Sequence, residues 1–480
     1  MKKSIPKYII DICQKLKSSK YEAFLVGGCV RDLLMEKTPK DFDITTNALP
    51  EEILKVFPAS KYENDFGTVL LPLRDENEKV YDVVEITTYR SEQGYSNRRH
   101  PDEVRFEKNI DKDLERRDFT INALAYDPIE DNLIDLFGGK KDISKKIIRA
   151  VGEPSERFKE DALRMMRAVR FYSQLNFEME PKTQRAITKL AGGLKFISQE
   201  RIRDELIKIL SSDLPSEGIT MLHDCKLLQY ILPELEQGIG VKQDRHHIYP
   251  VYNHNILSLK HCPNKAWQVR FASLLHDIGK PKTRKIIQGI ATFYNHEYVS
   301  ANMARKITKR LKFSNEDSER IVNLVKNHMF YYNVGEVSAA SVRRLIVKVG
   351  KENLQDLIDL RVADRLGSGT PKAMPYKLRH LQYMLEKVQN DPVSVKMLNI
   401  NGEDLMKSLK IKPGPIIGAL LDVLLSEVIE DPEKNNKEYL VQKANDLKDY
   451  NLEQLREAAK DLIEQKNIEQ DKNIKKQFKV

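Results

Sequence analysis

The stretch that decides the fold is Leu25–Asn47, "LVGGCVRDLLMEKTPKDFDITTN". An apolar β-type run ends in Gly27–Gly28, and a helical pattern starts near Val30. A second β-like run, Lys37–Asn47, then carries Asp41 and Asp43 one residue apart. Strand alternation points both carboxylates to one face. Two like charges side by side repel unless something positive sits between them. Taken alone, the glycine pair is a tight turn and the aspartates a solvated strand edge. The alternative is a phosphate site beside a hard divalent cation. Glycines let the backbone approach, a helix start offers free N–H groups, and Mg²⁺ prefers carboxylate oxygens plus substrate phosphates.

Working outward, "VYDVVEITTYR" (Val80–Arg90) favours the second reading. Glu85 lies between Val84 and Ile86, where a charge needs a reason. Alternation places Val83, Glu85 and Thr87 on one face and Val84, Ile86 and Thr88 on the other. If this strand neighbours the aspartate strand, three carboxylates meet around two metals able to activate a hydroxyl and stabilise a leaving pyrophosphate. "EAFLVGG", "FDITTN", "TVLLPL" and "VYDVVEITTY" read as strands, with "VRDLLME" and "LPEEILKVF" as helices. Asn47 is the expected N-cap of the latter. The expected class is thus α+β: a small mixed head over residues 1–150, then a mainly helical remainder. From Glu156, "SERFKEDALRMMRAVRFYSQL", "QERIRDELIKILSS" and "SEGITMLHDCKLLQYIL" repeat apolar residues every three or four positions. The expected divisions are a helical neck over 151–245, a histidine-rich domain over 246–370, and a helical C-terminal region over 371–480. The last ends in a charged tail from Asp431 expected to be solvated helix.

The 480 residues exceed one core, and no apolar run approaches a membrane span. The start reads as an amphipathic helix rather than a signal peptide. Four widely spaced cysteines without a CxxC pair argue against thiolate zinc or disulfides and for a reducing cytoplasm. A net charge of +9 fits a nucleic-acid partner but is common among lysine-rich proteins.

"GGCVRD", "DFDITT", "RRDFTINALAYD", "EDALRMMRAVRF" and "SQERIRDEL", in that order, resemble the class II tRNA CCA-adding enzyme and poly(A) polymerase family, with its polymerase-β-like head. The resemblance is close over the first 210 residues and looser at "GEDLM…PGPIIG". It implies that Asp41 and Asp43 bind Mg²⁺, with Glu85 as the third acid. Gly28 and Arg31 would hold the triphosphate, and Arg117 and Asp118 the nucleotide and ribose. Asp161, Arg164, Arg167 and Arg170, on one helix, would contact the nucleotide, with Asp161 and Arg164 as helical neighbours. That last pair has its own chemistry: a carboxylate accepts from an exocyclic amino group and a guanidinium donates to ring acceptors, which suits C and A. The plain alternative is an i,i+3 surface salt bridge. Arg90–Phe106 reads as a polar surface loop; by resemblance it stands where A-adding members carry a flexible loop. Partners implied are tRNA, CTP and ATP, without a membrane.

"ASLLHDIGKP" carries His276–Asp277, flanked by His254, His296, His328 and Asp364 on separate helical segments. Imidazole with carboxylate suits a transition metal. The order resembles the HD phosphohydrolase superfamily, which implies one metal at His254, His276, Asp277 and Asp364 and a second at His296 and His328. Asn295 stands where that family has glycine. Such a metal would lower the pKa of a water for phosphoester hydrolysis. His246 and His247 are candidates to face the substrate.

The sequence reading is therefore an untemplated tRNA nucleotidyltransferase that adds CCA and releases pyrophosphate. Its near rival is a poly(A) polymerase or A-only transferase. Rivals of another class are a metal-dependent phosphohydrolase with a nucleotide- or RNA-binding head, and a non-enzymatic RNA-binding protein.

Overall fold

The computed structural model describes residues 1–64, 67–93, 103–244, 248–330, 332–334, 337, 339–370, 374–389, 395, 398–457, 475–476 and 478. The chain forms two compact units, Met1–His328 with Asp359–Thr370, and Met329–Ile358 with Pro371–Val480.

The first unit opens with the helix Lys7–Ser18, which buries Ile9, Ile12, Cys13 and Leu16 along one stripe. The strands that follow are β1 (Phe24–Val26), β2 (Asp43–Thr46), β3 (Lys61–Asn64), β4 (Thr68–Arg74), β5 (Val80–Thr88), β6 (Arg90–Gln93), β7 (Glu103–Phe106), β8 (Ala125–Asp127) and β9 (Asn132–Ile134). Seven of them form one sheet in the order β3-β4-β5-β2-β1-β8-β9, in which only β2 and β5 run parallel. On β5, Val84, Ile86 and Thr88 are buried and Val83 and Glu85 exposed, as alternation requires. β6 pairs with β7 as a separate antiparallel ribbon. The flanks of the expected Arg90–Phe106 loop are therefore strands, and residues 94–102 lie outside the described residues.

Three local expectations change. The helix after the glycine pair begins at Gly28, not Val30. The helix Pro50–Val56 is N-capped at Leu49, whose N–H donates to Glu52 Oε2 at 2.7 Å. Pro50 supplies a first helical residue that needs no N–H partner. Asn47 instead accepts from the Glu22 N–H at 2.8 Å. The neck segment around Asp161 is two helices, Pro154–Glu160 and Leu163–Leu175, because Asp161 is extended at φ −136°, ψ 107°.

Further helices, including Gln199–Leu210, Val251–Lys260, Trp267–Leu275, His296–Arg310 and Asn315–Asn327, complete the first unit, with one short hairpin, Lys285–Ile287 with Ile290–Thr292. The second unit is helical. Its core gathers Leu405, Leu420, Leu424, Leu440, Ala444 and Leu455. The helix Lys437–Asp446 thus packs Leu440 and Ala444 into that core, where a solvated tail was expected. Among the described residues no helix is long and apolar enough to cross a membrane.

Candidate active site

In the head, parallel pairing of β2 and β5 sets Asp43 in register with Glu85. Register partners share a sheet face, so the two carboxylates stand side by side. Asp41 lies just before β2, outside the strand. Its charge still bears on both: loss of hydration, opposed by Arg117 and reinforced by Asp41, raises the Asp43 pKa. Glu85 is raised by loss of hydration, then by Asp43, Glu63 and Asp41. Both side chains reach solvent, yet surrounding protein displaces enough water to disfavour their charge. Asp41, Asp43 and Glu85 thus supply oxygen donors that repel one another, a chemistry that suits a hard divalent cation, although among the described residues their donor atoms are less closely gathered than those of the histidine cluster below.

Close backbone approach falls on Gly27 rather than Gly28. Gly27 sits at φ 76°, and a Cβ there would stand 2.9 Å from Arg117 Nη1 and 4.0 Å from Asp43 Oδ2. Gly28 is the first residue of the helix, in ordinary contact with Arg31. Arg31 donates to Asn122 Oδ1 at 2.8 Å and Asp32 Oδ1 at 2.9 Å. The Asn122 amide in turn reaches Asp118 Oδ1 at 3.4 Å, and Asp118 Oδ2 accepts from Arg167 Nε at 2.7 Å. Burial opposes the Asp118 charge, but Arg167 and Arg164 outweigh it and hold the carboxyl below its usual range. Arg117 is anchored 3.2 Å from fully buried Asp113, which also holds Arg116 at 2.6 Å. Gly28, Arg31, Asp43, Glu85, Arg117, Asp118 and Arg167 are therefore linked in one network.

The Asp161 and Arg164 side chains do not pair with one another, although the Arg164 N–H donates to the Asp161 carbonyl at 3.0 Å. Asp161 meets Arg201 Nη2 at 2.6 Å and caps the Leu163 N–H at 3.0 Å. Arg164 meets Glu160 Oε2 at 2.6 Å and the Arg116 carbonyl at 3.1 Å. The salt-bridge alternative fails because Asp161 is not helical. Arg170 is held by Glu205 at 3.0 Å and lies 4.4 Å over the Phe171 ring, which Arg31 also approaches at 5.4 Å.

The second cluster has the Asp277 carboxylate at its centre. On the Oδ2 side are His254 Nε2 at 3.1 Å and His276 Nε2 at 3.3 Å, with Asp364 Oδ1 3.3 Å from His254. On the Oδ1 side are His296 Nε2 at 3.1 Å and His328 Nε2 at 3.7 Å. His276, His296 and His328 donate Nδ1–H to the carbonyls of Ser273, Phe293 and Val325 at 2.7–2.8 Å. A carbonyl only accepts, so each of these rings is fixed as a donor at Nδ1 and turns Nε2 inward. Two donor groups sharing a bridging carboxylate fit two transition-metal ions. Burial opposes the Asp277 charge, but His276 and Lys280 outweigh it and hold the carboxyl well below its usual range. The Asn295 departure costs no geometry: it adopts φ 60°, ψ 21°, a left-handed conformation that asparagine tolerates. His246 and His247 lie outside the described residues.

Comparison with known proteins places this geometry. Residues 23–149 match the "Poly A polymerase head domain", 176–239 the "Probable RNA and SrmB- binding site of polymerase A", and 282–444 a tRNA nucleotidyltransferase domain 2. The CCA-adding enzyme of Enterococcus faecalis is 32% identical over 90% of this chain and 93% of its own. That of Ligilactobacillus salivarius is 34% identical over 92% and 96%. The chain belongs to the CCA-adding enzyme family. A solved relative, the Bacillus stearothermophilus CCA-adding enzyme in complex with CTP, is 27% identical over 92% of this chain and 96% of its own, with a TM-score of 0.60. The Thermotoga maritima CCA-adding enzyme complexed with tRNA shares the fold at 21% identity and a TM-score of 0.51.

For this family member, sequence reasoning missed Gly27, Asp113, Asn122, Phe171, Arg201 and Glu205. Arg201 and Glu205 carried a signal, since an i,i+4 charge pair opening an otherwise apolar helix face asks for partners. Asp113 and Asn122 carried none, because their partners are set by the sheet.

Proposed function

We propose that this chain adds the 3′-terminal CCA to tRNA from CTP and ATP without a nucleic-acid template. The register of Asp43 with Glu85, within a family of CCA-adding enzymes, carries the reading. The tRNA 3′-hydroxyl attacks the nucleotide α-phosphate and pyrophosphate leaves. Asp41, Asp43 and Glu85 would hold divalent cations, expected to be Mg²⁺, which when bound activate the hydroxyl and offset the leaving-group charge. Gly28 and Arg31 bind triphosphate oxygens, and Arg117 and Asp118 meet the nucleotide and its ribose, with Asp118 also orienting Arg167 beside them. Asp161 accepts the exocyclic amino group of C or A while Arg164 donates to the adjacent ring acceptor; Arg201 and Glu160 hold them for that task. Arg170, fixed by Glu205, keeps the neck helix in place behind them. The working divisions are head 1–150, neck 151–245, HD domain 246–370 and tRNA-binding region 371–480. The reaction belongs in the cytoplasm, with its tRNA substrates.

Incubation of the protein with tRNA ending before CCA, giving each NTP separately, tests this reading. CTP alone should add two C, and ATP supplied after CTP should add one A. Addition of A without C would assign an A-only transferase, and long A tails a polyadenylating enzyme.

The geometry around Asp277 favours a second activity, metal-dependent phosphoester hydrolysis. His254, His276, Asp277 and Asp364 would hold one ion, and His296 and His328 the other, shared through Asp277. Purified protein given Mn²⁺, Ni²⁺ or Co²⁺ should hydrolyse phosphomonoesters or phosphodiesters. Total inactivity with all three ions would remove the activity and leave a structural module.

A further inference from the structure

Lys280 is a buried lysine that no part of the nucleotidyl-transfer scheme uses. It opens the short helix Lys280–Thr283, three residues after Asp277, and is 4% exposed. Its ammonium lies 2.5 Å from Asp277 Oδ2 and donates to Gln243 Oε1 at 2.7 Å, while the Phe293 ring lies 5.6 Å away. Gln243 is itself buried, and its amide is fixed by the Tyr249 carbonyl at 3.1 Å. A lysine held in this way has been placed, since a buried ammonium without partners is strongly disfavoured.

Its position conflicts with an ion at the cluster. Asp277 Oδ2 is the oxygen that His254 and His276 face at 3.1 and 3.3 Å. An ion held by those imidazoles would share that oxygen with the ammonium, and two cations would stand together where little water screens them. His254 and His276 already bring their Nε2 atoms to 3.0 Å of one another, so there is little room to turn the ligands away. Asp364 offers such an ion only Oδ1, because its other oxygen is engaged by Arg361 at 2.6 Å.

Resting on the HD reading above, we propose that Lys280, seated on Gln243, is a positioning residue that competes with the metal for Asp277 Oδ2 and so weakens metal binding at the His254–His276 side. The cluster then loads only when metal is plentiful, and nucleotide addition in the head proceeds without it.

The test is a Co²⁺ titration of the full chain, followed by the visible absorption bands that imidazole ligation gives. All proteins carry Asp43→Ala, so the all-oxygen head contributes no site. The reference chain should develop the bands, and His276→Ala should lose them. Lys280→Met should reach half-saturation at a Co²⁺ concentration at least about tenfold lower, since one charge repulsion is removed. Lys280→Arg, which keeps the charge, should stay near the reference. Lys280→Gln provides a second neutral side chain should the methionine chain fold poorly. If both neutral chains bind Co²⁺ equally or more weakly, the competition is overturned and Lys280 only supports the fold. If the reference chain shows no such bands, the HD reading itself fails.

Discussion

At the scale of single residues, the head is a cluster of charges arranged against their own stability. Asp43 and Glu85 have raised pKa values in the folded chain, so folding disfavours their ionised forms. Their contribution to stability is therefore fully present below the ordinary carboxylate range and is lost as pH rises through the raised values. Asp43→Asn should raise the melting temperature at pH 7 by about 1–2 °C, a small figure because the group reaches solvent. The gain should shrink near pH 4, as thermal melts at both pH values would show. The same substitution should lower CCA addition by about 10³-fold or more, measured by single-turnover extension of tRNA. Since cation binding needs the charged forms, protons compete with it, and at sub-saturating Mg²⁺ the rate should decline as pH falls toward the raised values. A pH–rate profile flat down to about 4 would contradict that. The identity of these acids was legible from spacing and from the charge inside "VVEIT"; their mutual pKa shifts were not, because they depend on distances across strands.

At the scale of elements, two turns decide the site. The first is Gly27, whose positive φ strains any side chain and whose Cβ would push the Arg117 guanidinium aside. Gly27→Ala should leave far-UV circular dichroism unchanged and reduce kcat/KM for CTP and ATP by at least about tenfold, because a displaced guanidinium costs ~1.4 kcal/mol or more. The second is the break at Asp161 between two neck helices. A continuous apolar periodicity predicts one helix over this stretch. The chain instead interrupts it, which takes Asp161 away from Arg164 and delivers it to Arg201 on the helix Gln199–Leu210. Arg201→Ala should free the carboxylate and relax base choice, raising UTP or GTP incorporation relative to CTP by about tenfold in single-nucleotide assays. Unchanged selectivity would show that Arg201 only packs. Periodicity reads the face a helix buries, and a one-residue extended break leaves that face nearly intact. That is why the break did not show in the sequence.

At the scale of the whole molecule, two clusters offer different ligand types. The head offers carboxylate oxygen alone, while the histidine cluster offers four imidazoles around one shared carboxylate. Their distinct ligand residues predict a double dissociation. Asp43→Ala should abolish nucleotide addition and spare any metal-dependent hydrolysis; Asp277→Ala should do the reverse. Loss of both activities in either variant would mean that the two sites are coupled through the fold.

The sequence alone determined the α+β head, the helical remainder, the acids and histidines, and the family, because side-chain alternation and motif order are properties of the chain itself. Only the tertiary structure decided which strand neighbours which, that Asp43 and Glu85 share a register, which arginine grips which carboxylate, and that Lys280 faces the metal-type cluster. These are contacts between residues as far apart as Asp43 and Glu85, or Gln243 and Lys280. No local pattern encodes them, since they exist only once the sheet and the packed helices fix distances across the chain.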